Sequence, residues 1–384
     1  MNILFPYLAR WHSANRSRYH QLLTHLCRRG HRVFVLTAPP MALADISAQD
    51  IGRANGDLPA GMMLGELHAP TSLRSFWRCD IPRTKLLKKG LISLSSIAQV
   101  RRLIDRQKID LLFLYNLPQV LLMQMVDCPI HFDLADDLVA MMEAEDLLLS
   151  RFGGQRAAAW VQRRMVRQAR TVTVASSVLA EQMARPVLML PNGADLAELD
   201  RIDDRRWPRD RQRPTVGFVG AFEYWVDVDL ILAVAGRLPQ CTFLLVGGGR
   251  RLHEIQQKVE RYGLANVRLT GPQPYRAAMS YVAGMDVCLL PFYHSPVSDG
   301  SCPLKLFEYA ALRKPVVSTS TVEVVRIGAG WVSFADDPDT FAQAVLRAID
   351  YPPSVETGRA LVEHRYNWPM LAEKLENYLI GAAG

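Results

Sequence analysis

Short apolar runs alternate with helical stretches along most of the chain. In the first half, the runs typical of buried strands are NILFPYL, HRVFVLT, IDLLFLYN, CPIHFDL, TVTVAS and PVLML. In the second half they are TVGFVGAF, CTFLLVGGG, NVRLTGP, DVCLLPFY, PVVST and WVSFAD. Helical stretches of about 10–15 residues separate most of these runs, which indicates right-handed β-α-β crossovers and therefore parallel sheets.

A charged segment without apolar periodicity separates the two series. Residues 200–214, DRIDDRRWPRDRQRP, combine prolines with mostly charged side chains, which is typical of a linker. The sequence therefore predicts an α/β protein whose two doubly wound domains, at 1–199 and 215–366, face each other across a cleft. In such sheets, ligands bind at the carboxyl ends of the strands.

The composition is that of a soluble globular protein, with 384 residues, 49% hydrophobic and 22% charged. The six cysteines form no C-x-x-C pair, which favours free thiols in a reducing compartment over a zinc site or disulfides. The first residues turn polar after a short apolar run, and the most apolar run, 111–126, contains Asn, Pro and Gln. We therefore expect no secretory signal, no transmembrane helix and a cytoplasmic location.

The net charge of +7 is concentrated in two stretches, 74–108 and 151–170. Such basic stretches favour phosphate-bearing partners. Within the first, PRTKLLKKGLISLSSIAQVRRLIDRQ places apolar residues beside clustered Lys and Arg, as in a helix lying on an anionic membrane, although a solvated helix face is the alternative. No strand interleaves aromatic and basic residues, so we expect no nucleic-acid partner.

Two glycine-containing loops follow predicted strands of the second half. Gly217 and Gly220 have the spacing G-x-x-G, which lacks the third glycine of a dinucleotide site and gives a dehydrogenase little support. The run that starts at Gly247 contains three glycines followed by two arginines, and its backbone N–H groups could bind an anion. Close packing or a flexible turn is the structural alternative.

The stretch CPLKLFEYAALRKPVVST contains two charged residues in an apolar context. Pro303 suits the first turn of a helix, and Lys305 and Glu308 then lie on the same face. With the helix dipole, Lys305 could neutralise a diphosphate, and Glu308 could accept hydrogen bonds from the two hydroxyls of a ribose. A Lys–Glu surface pair is the alternative, but the neighbouring side chains are mostly apolar. The stretch therefore predicts a nucleotide-diphosphate site.

The stretch FDLADD ends a predicted strand with Asp133, Asp136 and Asp137. A carboxylate among other acids in a partly dry site has a raised pKa and suits a general base. One of the last two aspartates could instead cap the following helix. We assign the catalytic positions to Asp136 and Asp137, with Asp136 favoured as the base, and His12 to the acceptor side.

No aspartate pair with the spacing D-x-D follows a strand. Asp227 and Asp229 have that spacing, but they fall at the start of a helix. We therefore expect no metal ion, so that lysine, arginine and helix dipoles neutralise the diphosphate.

Four stretches resemble segments of the GT-B glycosyltransferases, which use nucleotide-diphosphate sugars. They are PLKLFEYAALRKPVVST, NVRLTGPQPYRAAMSYVAGMDVCLLPF, LPNGAD and YNWPMLAEKLENYL. The resemblance covers most of 170–384 and extends to the first half only at the level of the fold. It implies a Rossmann-like acceptor domain at 1–199, a linker at 200–214, a Rossmann-like donor domain at 215–366, and a closing helix at 367–384 that crosses back to the first domain. The predicted donor-binding residues are Gly220, Glu223, Gly247, Lys305 and Glu308.

Two departures refine this resemblance. Retaining members carry a glutamate where this chain has Gly300, and an Arg–Lys pair where it has Phe222, Glu223, Tyr224 and Trp225. The chain is in this respect more similar to bacterial glucuronosyltransferases of xanthan and teichuronic acid assembly, in which a K-x-x-[QE] turn follows a small apolar residue. In the xanthan enzyme an aspartate of the first domain is the base of an inverting reaction, which implies that role for Asp136.

The resemblance implies an inverting, metal-independent transferase without a cofactor. Its donor would be a UDP-sugar carrying glucuronic acid or another hexose. Its acceptor would be a saccharide or lipid-linked saccharide in cell-surface polysaccharide synthesis, reached from the inner face of the plasma membrane. A two-domain epimerase of free UDP-sugars is the alternative. The membrane-binding pattern favours the transferase, because a free nucleotide sugar requires no membrane.

Overall fold

The computed structural model describes residues 1–12, 16–39, 58–70, 85–145, 153–202 and 212–382. The chain divides into two compact units, Met1–Pro191 with Ala372–Gly384, and Asn192–Leu371. The division falls within the stretch LPNGAD, and most of the predicted linker lies outside the described residues.

The first unit contains a seven-stranded parallel sheet in the order β3-β2-β1-β4-β5-β6-β7. The strands are β1 Asn2–Tyr7, β2 Arg32–Thr37, β3 Met62–Glu66, β4 Leu111–Leu114, β5 Ile130–Leu134, β6 Thr171–Val174 and β7 Leu188–Met189. Central strands of a parallel sheet are buried on both faces, and every residue of β4, β5 and β6 is buried. Strand β4 is accordingly all apolar, whereas β5 and β6 also contain buried polar side chains. Strand β3 was not predicted.

Helices cover both faces of this sheet. They are α1 Arg18–Arg28, α2 Lys85–Ser95, α3 Ile97–Gln107, α4 Val120–Met123, α5 Leu138–Glu145, α6 Gly154–Gln168 and α7 Ser177–Glu181, with a 3₁₀ turn at Leu117–Gln119 before α4. Because β-α-β crossovers are right-handed, α1 lies on one face of the sheet and α2 to α6 lie on the other. The strand order reverses between β1 and β4, the position at which doubly wound sheets bind ligands.

The second unit contains a six-stranded parallel sheet in the order β10-β9-β8-β11-β12-β13. The strands are β8 Thr215–Val219, β9 Thr242–Val246, β10 Val267–Gly271, β11 Val287–Leu290, β12 Val316–Ser318 and β13 Val332–Phe334. The helices are α8 Leu196–Leu199, α9 Val228–Arg237, α10 Leu252–Arg261, α11 Tyr275–Gly284, α12 Pro296–Asp299, α13 Leu304–Ala311, α14 Val322–Gly328, α15 Pro338–Asp350 and α16 Val355–Arg365. The predicted α/β class with two Rossmann-like domains is confirmed.

The last helix, α17 Trp368–Gly381, begins in the second unit and continues in the first from Ala372. Within the first unit, Glu376 of this helix accepts hydrogen bonds from Arg29 and from His31 Nε2, the latter at 2.7 Å. The chain thus returns to its first unit through this helix. Among the described residues, no helix has both the length and the apolar character required to cross a membrane.

Candidate functional site

Strand β5 ends at a buried ion pair that the sequence did not reveal. Asp133 accepts two hydrogen bonds from Arg18, from Nε and Nη2 at 2.9 Å each, and a third from Thr173 Oγ1 at 2.5 Å. Arg18 also donates from Nη1 to the carbonyl of Pro191 at 3.0 Å. Burial alone would raise the pKa of Asp133, but the Arg18 guanidinium outweighs it and lowers that pKa below its usual value. Asp133 is therefore an ionised structural partner of Arg18.

The two aspartates that follow have different environments. Asp137 Oδ1 accepts a hydrogen bond from the backbone N–H of Ala140 at 2.9 Å, so this residue caps the start of α5. Asp136 is half-buried, and burial raises the pKa of its carboxyl to about 6. Burial is the largest cause of this raised pKa, Arg18 opposes it, and the neighbouring charges of Asp133 and Asp137 contribute to it. Of the three carboxyls, that of Asp136 has the environment of a general base near neutral pH.

His12 follows β1 and is adjacent in sequence to a cluster of aromatic rings formed by Tyr7, Trp11 and His20. Its neighbour Trp11 packs on His20 with ring centres 4.2 Å apart, and the carbonyl of Trp11 lies 2.8 Å from His20 Nε2. Burial lowers the pKa of His20 to about 4, so this imidazole is neutral at physiological pH. The structure places His12 in a half-buried loop of the first unit, next to the undescribed residues 13–15.

In the second unit, the glycine loops after β8 and β9 pack backbone against backbone. Gly220 and Gly247 have φ angles of 146° and 142°. A Cβ atom on Gly247 would overlap the carbonyl oxygen of Gly220. A Cβ atom on Gly249 would lie 2.6 Å from the backbone nitrogen of Phe222. These positions therefore require glycine, both for the conformation and for the close approach of the two loops.

Helix α13 directs Lys305 at the same loops. A Cβ atom on Gly220 would overlap Cε of Lys305, whose Nζ lies 5.4 Å from the centre of the Phe218 ring. Burial lowers the pKa of Lys305, and Glu308 acts in the opposite direction. Glu308 is only 8% exposed. The alternative of a solvated Lys–Glu pair therefore does not describe these side chains.

The loop after β8 also contains Glu223, which pairs with an arginine from the neighbouring loop. Arg250 Nε lies 3.0 Å from Glu223 Oε2, and its guanidinium lies 6.0 Å from the centre of the Tyr224 ring. Arg250 is thus close to the stretch that lacks the Arg–Lys pair of retaining glycosyltransferases. A signal for Arg250 was present in the sequence, since two arginines follow the three glycines.

The two aspartates with D-x-D spacing near the start of α9 have structural roles. Asp227 caps this helix by accepting from the backbone N–H of Leu230 at 2.8 Å, and Asp229 accepts from Lys258 Nζ at 2.6 Å. In the part of the chain that the structure describes, no three His, Cys, Asp or Glu side chains are grouped as metal ligands. The absence of a metal ion from the reaction stays a prediction.

The two halves of the chain match two family models. Residues 16–193 match the model of the glycosyl transferase 4-like domain, and residues 213–351 match that of glycosyl transferases group 1. The chain is 27% identical over 199 residues to TuaH of Bacillus subtilis (strain 168), whose name describes a glycosyltransferase of teichuronic acid biosynthesis. That match covers 49% of this chain, and the chain spans about half the length of this curated relative, 50%.

Solved structures of low sequence identity share the whole fold. Sucrose-phosphate synthase from Thermosynechococcus elongatus is 18% identical, with a TM-score of 0.77 over 100% of this chain and 99% of that one. WaaG, a glycosyltransferase of lipopolysaccharide biosynthesis, is 14% identical, with a TM-score of 0.69 over 99% and 100%. Anabaena Alr3699/HepE, solved in complex with UDP-glucose, is 15% identical, with a TM-score of 0.68 over 99% and 100%.

Proposed function

We propose that this chain, which belongs to the GT-B nucleotide-sugar glycosyltransferases, transfers a sugar from a nucleotide-diphosphate donor to a saccharide or lipid-linked saccharide. The observation that carries the proposal is the position of Lys305, against the backbone of Gly220 at the carboxyl end of a parallel strand. Parallel sheets bind ligands at this edge. The family membership favours transfer over the alternative of a sugar-nucleotide epimerase.

In this proposal the second unit binds the donor. Lys305 neutralises the diphosphate together with backbone N–H groups of the loops at Gly220 and Gly247, and Glu308 accepts hydrogen bonds from the ribose hydroxyls. A partly desolvated lysine gains more from an anion than an exposed one, because water screens it less. Glu223 orients Arg250 beside these loops. We propose a UDP-sugar, since HepE of the same fold is described with UDP and UDP-glucose.

In the first unit Asp136 acts as the base of an inverting transfer. Its carboxylate takes the proton of the acceptor hydroxyl as that oxygen forms a bond to the anomeric carbon of the donor. The bond from this carbon to the diphosphate breaks on the opposite side, and the nucleoside diphosphate leaves with the electron pair. Asp137 holds the start of α5, and Asp133 anchors the end of β5, so both position the segment that contains Asp136.

The proposal also specifies the transferred sugar, the product and the further partners. The transferred sugar is glucuronic acid or another hexose, and the product belongs to a cell-surface polysaccharide, as the name of the teichuronic acid relative suggests. No metal ion or cofactor takes part, because cationic side chains and helix dipoles suffice to neutralise the diphosphate. An anionic membrane on the cytoplasmic side is a further partner, at which a lipid-linked acceptor is presented.

Binding of nucleotides to the full chain tests the donor site. We expect UDP to raise the melting temperature in a concentration-dependent manner, and GDP and thymidine diphosphate to act less. The matched measurement is single-turnover transfer from a UDP-sugar with EDTA present. No shift with any nucleoside diphosphate would refute the proposed donor site, and complete loss of transfer in EDTA would refute the metal-independent mechanism.

A further inference from the structure

One helix of the first unit exposes a basic stripe with a tryptophan at its centre. Arg156, Trp160, Arg163 and Arg167 of α6 are spaced by four, three and four residues, so they lie on one face of the helix. All four are exposed, Trp160 by 51%. The guanidinium of Arg164 lies 5.4 Å from the Trp160 ring centre. Helix α6 contains no acidic residue, so the stripe is a patch of positive charge.

Helix α2 of the same unit exposes an apolar stripe. Leu87 and Leu94 are seven residues apart, hence on one face, and they are 58% and 51% exposed. Lys88 of the same helix is only 4% exposed. The described part of α2 therefore presents leucines to solvent, whereas Lys88 is buried.

These two stripes belong to one layer of helices. Both α2 and α6 pack against the 3₁₀ turn Leu117–Gln119 and against α4, which lies between them. Leu121 of α4 and Met125 after it are also exposed. We call the exposed side of α2, α4 and α6 the outer face. It combines apolar side chains with a row of arginines, namely Leu87, Leu94, Leu121, Met125 and Trp160 with Arg156, Arg163 and Arg167.

We propose that this outer face binds an anionic lipid surface. Tryptophan and leucine side chains are suited to the boundary between headgroups and acyl chains, while arginines contact lipid phosphates. A nucleic acid or an acidic polysaccharide would match the arginines of α6 but would provide no apolar phase for Leu87 and Leu94. The inference rests on the proposed function only in that a lipid-linked acceptor would bring the protein to such a surface.

Co-sedimentation of the full chain with vesicles tests this assignment. We compare phosphatidylcholine vesicles with vesicles that also contain phosphatidylglycerol, at low and high salt. Each arginine near an anionic surface contributes about fivefold to partitioning, so the triple variant R156Q, R163Q and R167Q should lose on the order of 100-fold. Trp160→Ala and Leu87→Ala should also weaken binding, and their effect should persist in salt because it is apolar.

A matched control removes the same charge from the second unit. Arg261, Arg268 and Arg347 are exposed there, and the triple glutamine variant at these positions should bind anionic vesicles as the parent does. The proposal is overturned if the two triple variants lose vesicle binding to the same extent, or if the variant with R156Q, R163Q and R167Q sediments like the parent. It is also overturned if the parent binds heparin or single-stranded DNA in preference to anionic vesicles. Thermal shift with UDP separates this result from the donor site, because all these variants should keep the parental shift.

Discussion

The carboxyl edges of the two sheets carry different residues. Strand β5 of the first unit ends in acids, of which Asp133 forms a buried ion pair with Arg18 and Asp136 has a raised pKa. Strands β8 and β9 of the second unit end in glycines, beside which Lys305 is held with a lowered pKa. One edge thus offers a proton acceptor and the other offers positive charge and backbone N–H groups.

The comparison shows how burial acts on charges of opposite sign. Desolvation raises the pKa of the Asp136 carboxyl and lowers that of the Lys305 ammonium, because it destabilises the charged form of each group. In both cases a ligand that interacts with the charged form therefore has a larger effect. Asp133 is fully buried, yet three hydrogen bonds hold it ionised. Buried charges that are fully paired therefore stabilise structure here, whereas those with altered pKa values are the candidates for chemistry.

The largest expected effect belongs to the acidic edge. Asp136→Asn keeps the shape of the side chain and removes the base, so single-turnover transfer should slow by roughly 10²–10⁴-fold, with UDP affinity nearly unchanged. Burial raises the folded-state pKa of Asp136 to about 6, so its charge opposes folding above that pH. The variant should therefore melt no lower than the parent at pH 7. Near-parental turnover would place the base elsewhere or indicate a retaining reaction.

The same carboxyl predicts the pH dependence of transfer. A base must be deprotonated, so kcat/KM should fall as the pH drops below about 6, the pKa of Asp136. The fall should be about tenfold per pH unit if proton transfer limits the rate. UDP binding, measured over the same range by calorimetry, should change much less. A flat rate profile between pH 5 and 7 would contradict this assignment.

At the glycine-rich edge, Lys305→Ala should weaken UDP binding by about 1.5–3 kcal/mol, the range for a hydrogen bond to a charged group. Its effect on uridine, which has no diphosphate, should be small. Glu308→Gln is the matched control for the other end of the ligand, and it should weaken uridine and UDP alike. If calorimetry finds that Lys305→Ala weakens uridine as much as UDP, the lysine does not bind the diphosphate.

The smallest expected effect is that of the helix cap. Asp137→Ala removes the acceptor for the Ala140 N–H and should lower the free energy of unfolding by about 1 kcal/mol. Asp137→Asn retains a cap and should melt close to the parent. Both variants should keep transfer within a few-fold of the parent at low temperature. A loss of turnover in Asp137→Asn as large as that in Asp136→Asn would exchange the roles of the two residues.

The sequence alone was sufficient for the features that depend on local order. Apolar runs separated by helical stretches predicted parallel sheets, because the side-chain period of an element is set by residues near one another in the chain. The same holds for Lys305 and Glu308, which share a helix face at a spacing of three residues. Strand β3 escaped this reading, since it is an edge strand with only its first residue buried and a glycine in its interior.

The remaining features required the tertiary structure, because they depend on distant partners. Arg18 and Asp133 are 115 positions apart, and only the fold brings the start of α1 to the end of β5. That pairing makes Asp133 a structural residue, and the hydrogen bond from Ala140 distinguishes the helix cap Asp137 from Asp136. The burial of Lys88 and the exposure of Trp160 were likewise decided by how α2 and α6 pack on the sheet. A sequence states which charges are present, but their solvation is a property of the fold.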